Sequence, residues 1–537
     1  MDLVFLGGNV ITMDASGSRA DALAVRDGKI AAVGATAEIS AMVSEGTEVV
    51  PLAGRTLVPG FVDPHNHFSA TVFDPVAVDC WTPPHDSIAG IKDAIARAAS
   101  AALPGQWIWG WGFDGSLLRE GRNLTRHDLD DTTMDNPVCV MDGSHHSCYA
   151  NSLALELAGI DAHTPDPHGG QVLKDDNGEP SGELWERAMD PVHSLCLKAH
   201  VDHYGDRAAD YVYRNSMKHL SVGITSVGEA LVTPDAARMY RMADEQGKLP
   251  IALRQQLGGL TFFRAPEEAS RGELGTEDAS DRLRGGTLKT FMDPVFPDAA
   301  QFKCHDNGRV ERVGARYYTQ EEADGLVLSA HRLGMQVIIH CLGPWAIEQA
   351  LNSFERALRE RPTSDPRFRI EHFTLPTREQ IERARALDVI ASVQPPFIYT
   401  WADRQQTRAR ELGRTFGIEA FRSMIDAGLT VAAGSDNPCA PLHPLIGIRA
   451  AVNRVARRTG EPVAPEEAVT PMEALRMYTI NSAVALRRES EVGSIEVGKR
   501  ADLAVLGHDP TQANPDFITE IAVERTYVDG KCLYSRY

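Results

Sequence analysis

Between residues 56 and 436 the sequence alternates strand-like apolar runs with segments of helical character. Such alternation is typical of βα units, because a helix carries the chain back before the next parallel strand begins. Eight strand-like runs can be counted, at residues 56–67, 223–230, 250–257, 287–292, 335–340, 367–372, 388–395 and 429–436. Parallel strands with intervening helices in this number predict an α/β protein built on a TIM (β/α)8 barrel.

Signals for helix starts support this scheme. Thr319, Thr377 and Thr470 each stand three residues before a Glu or Gln, which is the pattern of a capping box. Proline is favourable in the first turn of a helix, and Pro234 and Pro471 occupy such positions. Local helix signals and the strand count therefore indicate the same fold.

The two ends of the chain differ from its central part in their predicted secondary structure. Short apolar strands with hairpin signals occur at the start, around Asp27-Gly28, and again at the end, around Asp529-Gly530. Neither end has enough strands for a stable sheet of its own. We therefore predict that residues 1–56 and 490–537 pair into one composite β-sandwich domain beside the barrel.

The barrel itself is predicted to span residues 57–489. Within it, residues 68–215 separate the first predicted strand from the second, a distance far beyond that of an ordinary βα loop. We predict that this large insert after strand 1 forms a subdomain over the barrel mouth.

Composition restricts the partners. Lys and Arg number 54 against 74 Asp and Glu, and the resulting net charge of −20 disfavours nucleic acids and anionic membrane surfaces. The eight cysteines are scattered without a CxxC pair, so neither a disulfide framework nor an all-cysteine zinc site is indicated. No export signal or membrane span is evident. We expect a cytoplasmic protein that acts on a small molecule, with a homodimer as the expected assembly.

Ligand-type side chains stand near the ends of several predicted strands. His65 and His67 are two apart at the end of the first strand, so the strand period directs both to the same face, where they can share a metal. A lone HxH pair is a weak signal. Further residues of this kind stand at or near the ends of other strands, namely Lys289, His340, His372 and Asp436. In a (β/α)8 barrel these ends converge on one face, where the active site lies.

Each of the four later residues has a structural alternative when it is taken alone. His340 could be a buried core histidine, His372 a capping residue and Asp436 the start of a turn. Lys289 fits least well as a structural residue, because an ammonium group in a barrel lumen loses its hydration. Their joint occurrence at different strand ends predicts a metal site.

This order of HxH, lysine, two histidines and aspartate resembles that of the amidohydrolase superfamily. The chain is most similar to amidohydrolase family 3, which includes N-substituted formamide deformylases. The segments that carry the resemblance include LVPGFVDPHNHF, WIWGWGFD, DGSHHSCYANSLAL, NGEPSGELWE, RIEHF, GSDNP and GSIEVGKRADLAVL. The resemblance implies a metal-dependent hydrolase that cleaves the carbon–nitrogen bond of an N-substituted amide or formamide through a metal-activated hydroxide.

The resemblance also implies roles for the ligand residues. The HxH pair would bind a first divalent metal, and His340 and His372 a second. Lys289 would carry carbon dioxide as a bridging carbamate, and Asp436 would bind the first metal and transfer protons. Zinc is the expected metal, with manganese, iron and cobalt as alternatives, and the number of ions, one or two, stays open.

Four further residues are predicted to act at the site. His146, in DGSHHSCYANS, resembles the family's Gly-His segment and is predicted to be catalytic at the carbonyl oxygen or the leaving group. The alternative for His146 is a loop histidine bound to backbone. Trp111 belongs to an alternating tryptophan stripe that either lines a substrate pocket or forms the core of the insert. Gln394, at the end of strand seven, and Glu186 are predicted substrate contacts.

The sequence departs from the family pattern after His340 and at Glu229, where family members often have a shorter acid or another polar group, and it leaves other functions open. A Gly-Asp pair would be expected after His340, but Gly343 is followed by Pro344. We therefore expect one contact near strand five to be missing. A deaminase or a lactone or carbamate hydrolase on the same barrel is the first alternative function. A barrel that binds a ligand without catalysis is the second.

Overall fold

The centre of the structure is an eight-stranded parallel sheet in which each strand pairs with the next one along the barrel. The structure is a computed structural model that describes residues 1–258, 279–295, 299–305, 309–413 and 417–537. The barrel strands, numbered one to eight below, are Phe61–Asn66, Ile224–Val232, Ala252–Leu257, Leu283–Phe291, Gln336–Cys341, Arg369–His372, Ile390–Val393 and Val431–Ala433.

Backbone hydrogen bonds join the end of the first barrel strand to the residues that follow the eighth. The Asp436 amide donates to the His65 carbonyl at 2.8 Å, and the His67 amide donates to the Asn437 carbonyl at 2.9 Å. The sheet therefore closes into the predicted (β/α)8 barrel. The predicted positions of strands two to eight are confirmed, and the later part of the first predicted strand forms the first barrel strand.

The first predicted strand consists of two separate strands. Thr56–Pro59 pairs with Leu503–Leu506 in a second sheet, whereas Phe61–Asn66 enters the barrel. The chain changes sheets at Gly60, where a Cβ atom would collide with the side chain of Thr225. Both strands are fully buried, so one continuous apolar run in the sequence conceals the change.

The helices pack around the barrel strands. Their bounds after the second strand are Pro234–Glu245, Gln320–Arg332, Pro344–Glu360, Arg378–Ala386, Pro396–Thr400, Ala402–Glu411, Phe421–Asp426, Pro444–Asn453, Pro471–Met477 and Ile480–Ala485, with a 3-10 turn at Pro465–Glu467. The predicted capping boxes are confirmed, because the side chains of Thr319, Thr377 and Thr470 each accept the backbone amide three residues ahead. A short antiparallel pair, Gln301–Cys304 with Val310–Val313, lies between the fourth and fifth barrel strands.

The residues between the first and second barrel strands contribute a separate six-stranded sheet and several helices. The sheet contains, in spatial order, Val78–Asp79, Ile108–Phe113, Val138–Asp142, Ser147–Ala150, Pro180–Glu186 and Gly170–Lys174. The helices are Phe68–Val72, Ile88–Ala101, Arg126–Asp130, Ser152–Leu157, Asp190–Tyr204 and Ala208–Leu220, with 3-10 turns at Gly115–Leu117, Arg187–Met189 and Gly205–Arg207. Trp109 and Leu184 of the insert belong to the same apolar core as Ile339 of the barrel, so the insert packs directly onto the barrel.

Both ends of the chain contribute strands to one further sheet. Its strands are Leu3–Ile11, Arg19–Arg26, Lys29–Gly34, Glu48–Pro51, Thr56–Pro59, Leu503–Leu506, Val523–Val528 and Lys531–Ser535, accompanied by a helix at Thr36–Ser40 and a 3-10 turn at Pro515–Glu520. The sheet has an apolar core of its own, in which the rings of Phe5 and Tyr527 pack edge to face at 5.0 Å. Within the described ranges, no helix has both the length and the apolar character that a membrane crossing requires.

We expect Phe5→Ala to lower the free energy of unfolding by about 3–5 kcal/mol, because removing a buried ring leaves a cavity that the sheet cannot fill. Urea denaturation followed by circular dichroism measures this change. Val49→Ala is the control, since Val49 is 44% exposed. An unchanged midpoint for Phe5→Ala would mean that the two ends of the chain do not depend on a shared core.

Candidate active site

The carboxyl ends of the barrel strands and the inner face of the insert enclose one small cavity. The six residues predicted as metal ligands all line it, namely His65, His67, Lys289, His340, His372 and Asp436. His145, His146, Glu186 and His193 line the same cavity from the insert. The structure therefore gathers side chains from five barrel strand ends and from the insert around one space.

Three of these side chains form a group that could hold a metal ion. The Nε2 atoms of His65 and His67 lie 3.4 and 3.0 Å from Oδ1 of Asp436. One ligand atom from each residue lies within 4.8 Å of the others. Burial alone would raise the pKa of the Asp436 carboxyl, but the neighbouring His65 and His67 imidazoles outweigh burial and hold this pKa below its usual range.

His65 is held from behind by two charged residues of the sixth strand. Its Nδ1 lies 2.5 Å from Oε2 of Glu371, and the Arg369 guanidinium donates to Oε1 of Glu371 at 2.8 Å. Burial lowers the pKa of His65 to about 4, so the ring is neutral at neutral pH. A neutral ring that donates from Nδ1 to Glu371 presents its Nε2 lone pair to the cavity, which is the form that binds a metal.

His340 and His372 form a second pair, with ring centroids 4.5 Å apart. The Nδ1 of His372 lies 2.7 Å from Oε1 of Gln394. The backbone at His372 has a φ of 69°, and this left-handed bend at the strand end lets His372 reach the same cavity as the strand's inward-facing residues. Burial lowers the pKa of both rings well below the usual histidine range. Both rings are therefore neutral and fit the role of metal ligands.

Asp293, which follows the fourth strand, supports the loop after His340. Its carboxylate accepts the amides of Ala300, Leu342 and Gly343 at 2.8 to 3.1 Å, and Oδ1 lies 3.8 Å from Nε2 of His340. Burial raises the pKa of Asp293 to about 7. An aspartate from another strand thus stands beside the loop in which the sequence lacks the expected Gly-Asp pair.

Lys289 occupies an unusual environment for a lysine. Its side chain is buried, and within the described ranges Nζ has no hydrogen-bond partner. Nζ lies 5.0 Å from the centroid of the Phe291 ring. Burial lowers the pKa of Lys289 to about 8, which makes the neutral amine accessible close to neutral pH.

His146 and Glu186 form a hydrogen-bonded pair at the insert side of the cavity. Nδ1 of His146 lies 2.8 Å from Oε2 of Glu186, which also accepts the hydroxyl of Tyr317. The Val295 amide donates to Oε1 of Glu186 at 3.2 Å. Burial alone would lower the pKa of His146, but the Glu186 carboxylate outweighs burial and raises it.

The predicted substrate contacts have different surroundings. Glu186 lines the cavity, but its carboxylate binds His146. Gln394 is fully buried behind His372 and accepts from that ring. Trp111 is buried in the insert and stacks on His145, with ring centroids 4.5 Å apart. Trp111 and Gln394 are not among the residues that line the two described cavities.

A larger cavity of about 900 Å³ adjoins the first and shares His146, His340, His372 and Asp436 with it. Its walls carry the aromatic side chains Phe113, Tyr149, Trp185, Tyr317, Phe397 and Trp401. The insert and the barrel both line this cavity, and Arg404 of the barrel contacts Asp114 of the insert at 2.8 Å. The cavity has the volume and the aromatic walls typical of a binding site for a small organic molecule.

Several residues at the site were missed or given no role in the predictions from sequence. Arg369 and Glu371 stand two apart in a predicted barrel strand, and their shared lumen-facing side is a signal that could have identified them. Glu229 is fully buried, and it accepts the amides of Phe68 and Ser69 just after the HxH pair. Asp293 and Tyr317 meet the site through the folded chain, and no local sequence pattern marks them.

Comparison with known proteins gives consistent results. Residues 48–534 match the sequence profile of the amidohydrolase family. The chain is 40% identical to the N-substituted formamide deformylase of Arthrobacter pascens over 543 aligned residues, which cover 100% of this chain and 98% of that protein. It is 29% identical to the protein LONG AFTER FAR-RED 3 of Arabidopsis thaliana, over 99% of this chain and 91% of that one.

A solved structure has the same fold. The crystal structure of an uncharacterized metal-dependent hydrolase from Pyrococcus horikoshii OT3 superimposes with a TM-score of 0.76. The superposition covers 96% of this chain and 99% of that chain, at 24% sequence identity.

We expect Arg369→Leu to destabilise the protein by about 3–5 kcal/mol, because it leaves the buried Glu371 carboxylate without its cation. Urea denaturation followed by intrinsic fluorescence measures the change. Arg356→Leu is the matched control, since the Arg356 side chain is 40% exposed in its contacts with Asp324 and Glu360. Equal stability of the two variants would contradict a structural role for the Arg369–Glu371 pair.

Proposed function

The chain belongs to the amidohydrolase family, and from this premise we propose that it is a metal-dependent hydrolase that cleaves the carbon–nitrogen bond of an N-substituted amide. The observation that carries the proposal is that the predicted ligand set, with its four imidazoles, its carboxylate and its buried lysine, converges on a single cavity. Side chains of this kind at the carboxyl face of a (β/α)8 barrel are suited to hydrolytic chemistry.

We propose N-substituted formamides as the substrate class. The 40% identical relative carries the name N-substituted formamide deformylase, and the alignment covers the full length of this chain. The adjoining cavity of about 900 Å³ has room for a sizeable substituent on the amide nitrogen. Hydrolysis would release formate and a primary amine.

The residues present fit divalent metal ions. Neutral imidazoles and a carboxylate are the donors that zinc, manganese, iron and cobalt accept. The buried Nε2 of His340 has no hydrogen-bond partner in the described ranges, and it lies next to the other rings. His65, His67 and Asp436 would hold one ion, and His340 and His372 another. When bound, such ions acidify water and polarise a carbonyl group.

Lys289 is proposed to be carbamylated and to bridge the two ion positions. The neutral amine would attack carbon dioxide, forming an N–C bond and releasing one proton. The product is an anion, which removes the buried positive charge and adds two oxygen donors to the site. The buried Nζ without a hydrogen-bond partner supports this assignment.

Asp436 and His146 are proposed to handle protons. The Asp436 carboxylate is ionised and lies beside His65 and His67, so it would accept a proton from the attacking water and return it to the leaving nitrogen. Nδ1 of His146 binds Glu186, which leaves Nε2 to donate to the carbonyl oxygen or the leaving group of the substrate. Tyr317 and the Val295 amide fix Glu186, and Glu186 in turn orients His146.

We expect the zinc-loaded or manganese-loaded protein to convert N-substituted formamides to formate and amine. Asp436→Asn should lower kcat by about 10³-fold or more, because the proton acceptor is lost while side-chain volume is kept. Formate and amine release measure activity, and circular dichroism and metal analysis measure fold and metal content. Asp388→Asn is the control, since the Asp388 side chain is 79% exposed. Near-normal turnover in Asp436→Asn would contradict the assigned role.

The products separate the alternative functions. Ammonia without a carboxylic acid product would indicate a deaminase. An acid without an amine, from a panel that includes lactones, would indicate a lactone hydrolase. Carbon dioxide released with an amine or an alcohol would indicate a carbamate hydrolase. Absence of both turnover and metal after zinc and manganese have been supplied would favour a binding protein.

We expect ¹³C NMR of the metal-loaded protein, after incubation with ¹³C-bicarbonate, to show a carbamate signal that Lys289→Met abolishes. The reason is that the buried amine of Lys289 is the group proposed to take up carbon dioxide. Lys198→Met is the control, because the Lys198 side chain is 54% exposed. A carbamate signal that survives in Lys289→Met, or none in the wild type, would contradict the carbamate.

A further inference from the structure

The adjacent histidines His145 and His146 of the insert meet the cavity in different ways. His146 uses its Nδ1 to bind Glu186. The ring of His145 instead lies between two other rings, with centroid distances of 5.1 Å to His67 and 4.5 Å to Trp111. The interplanar angles are 26° and 16°, so the three rings form a stack that begins in the core of the insert and ends at the cavity.

Among the residues that the structure describes, none forms a hydrogen bond with Nδ1 of His67, and the stack supports this ring instead. The Nδ1 of His65 binds Glu371, and the Nδ1 of His372 binds Gln394. Within the described ranges the polar contact recorded for the His67 ring runs from Nε2 to Asp436, on the cavity side. A flat ring against its face restricts the rotation of His67 where no partner at Nδ1 does so.

We propose that His145 is a positioning residue for His67, and that Trp111 supports His145 from the opposite face. This inference rests on the proposed function, in which His67 binds a metal. His145 acts through its ring face, since its buried Nε2 has no hydrogen-bond partner in the described part of the chain. The inserted subdomain thereby completes the metal site from outside the barrel.

The backbone at His145 offers a way to test the ring separately from the turn. His145 has a φ of 68°, a left-handed conformation that asparagine adopts more readily than phenylalanine. His145→Asn therefore keeps a residue suited to the turn and removes the ring. His145→Phe keeps a flat ring, removes both nitrogens and is less suited to the turn. The proposal requires that the flat ring at position 145 determines the zinc affinity, and that neither the ring nitrogens nor the backbone conformation does.

The experiment measures zinc affinity directly. The purified protein is stripped with a chelator, and zinc is returned in competition with a chromophoric chelator for the wild type, His145→Phe, His145→Asn and the control His127→Asn. His127 is an exposed histidine of the same insert. We expect the zinc Kd of His145→Asn to rise by about 10-fold or more, as for other residues that orient a metal ligand. His145→Phe and His127→Asn should stay within about threefold of the wild type.

The outcomes are distinguishable. If His145→Phe binds zinc as weakly as His145→Asn, the loss of affinity comes from the ring nitrogens, and the proposal is overturned. Wild-type zinc affinity in His145→Asn would also overturn it. If His145→Phe binds zinc weakly while His145→Asn binds it tightly, the loss of affinity comes from the backbone conformation, and the proposal is likewise overturned. A wild type that takes up neither zinc nor manganese would overturn the proposed function together with this inference. Circular dichroism confirms that each variant is folded before its Kd is compared.

Discussion

Burial of many ionisable side chains in one barrel lumen is the constraint on which the rest of this structure depends. Loss of hydration penalises every charge, so such groups persist only where hydrogen bonds, opposite charges or bound ions compensate. Arg369, Glu371 and His65 satisfy one another through short buried contacts. Lys289 Nζ and His340 Nε2 have no such hydrogen bond among the described residues. The uncompensated atoms are thus the ones that the proposed metals and carbamate would engage.

Several side chains at the cavity are held by parts of the chain that are remote from them in sequence. The sixth strand holds His65, and Gln394 of the seventh strand end holds His372. Asp293 of the fourth strand end holds the loop after His340. The inserted subdomain contributes His145, His146, Glu186 and His193 to the lining of the cavity. The site is therefore a property of the closed barrel with its insert, and it cannot be divided into independent pieces.

The sequence predicted those features that depend on local periodicity. Strand-like runs and capping residues identified the barrel, and the HxH pair with later residues at strand ends identified the cavity lining. The change of sheet at Gly60 was hidden, because Thr56–Pro59 and Phe61–Asn66 are both buried and the residues on either side of Gly60 are apolar. Asp293 and Tyr317 were missed because contacts made across the fold leave no pattern in sequence. The tryptophan stripe had two readings, and the buried stack of Trp111 on His145 matches a core residue of the insert.

The pairing of Thr56–Pro59 with Leu503–Leu506 has a consequence for biosynthesis. The first of these strands leaves the ribosome long before its partner has been polymerised. Throughout translation the nascent polypeptide therefore keeps an apolar edge uncovered directly upstream of the segment bearing His65 and His67, which is a surface that chaperones recognise. Maturation of the catalytic centre is in this way tied to synthesis of the distant segment that contains Leu503–Leu506.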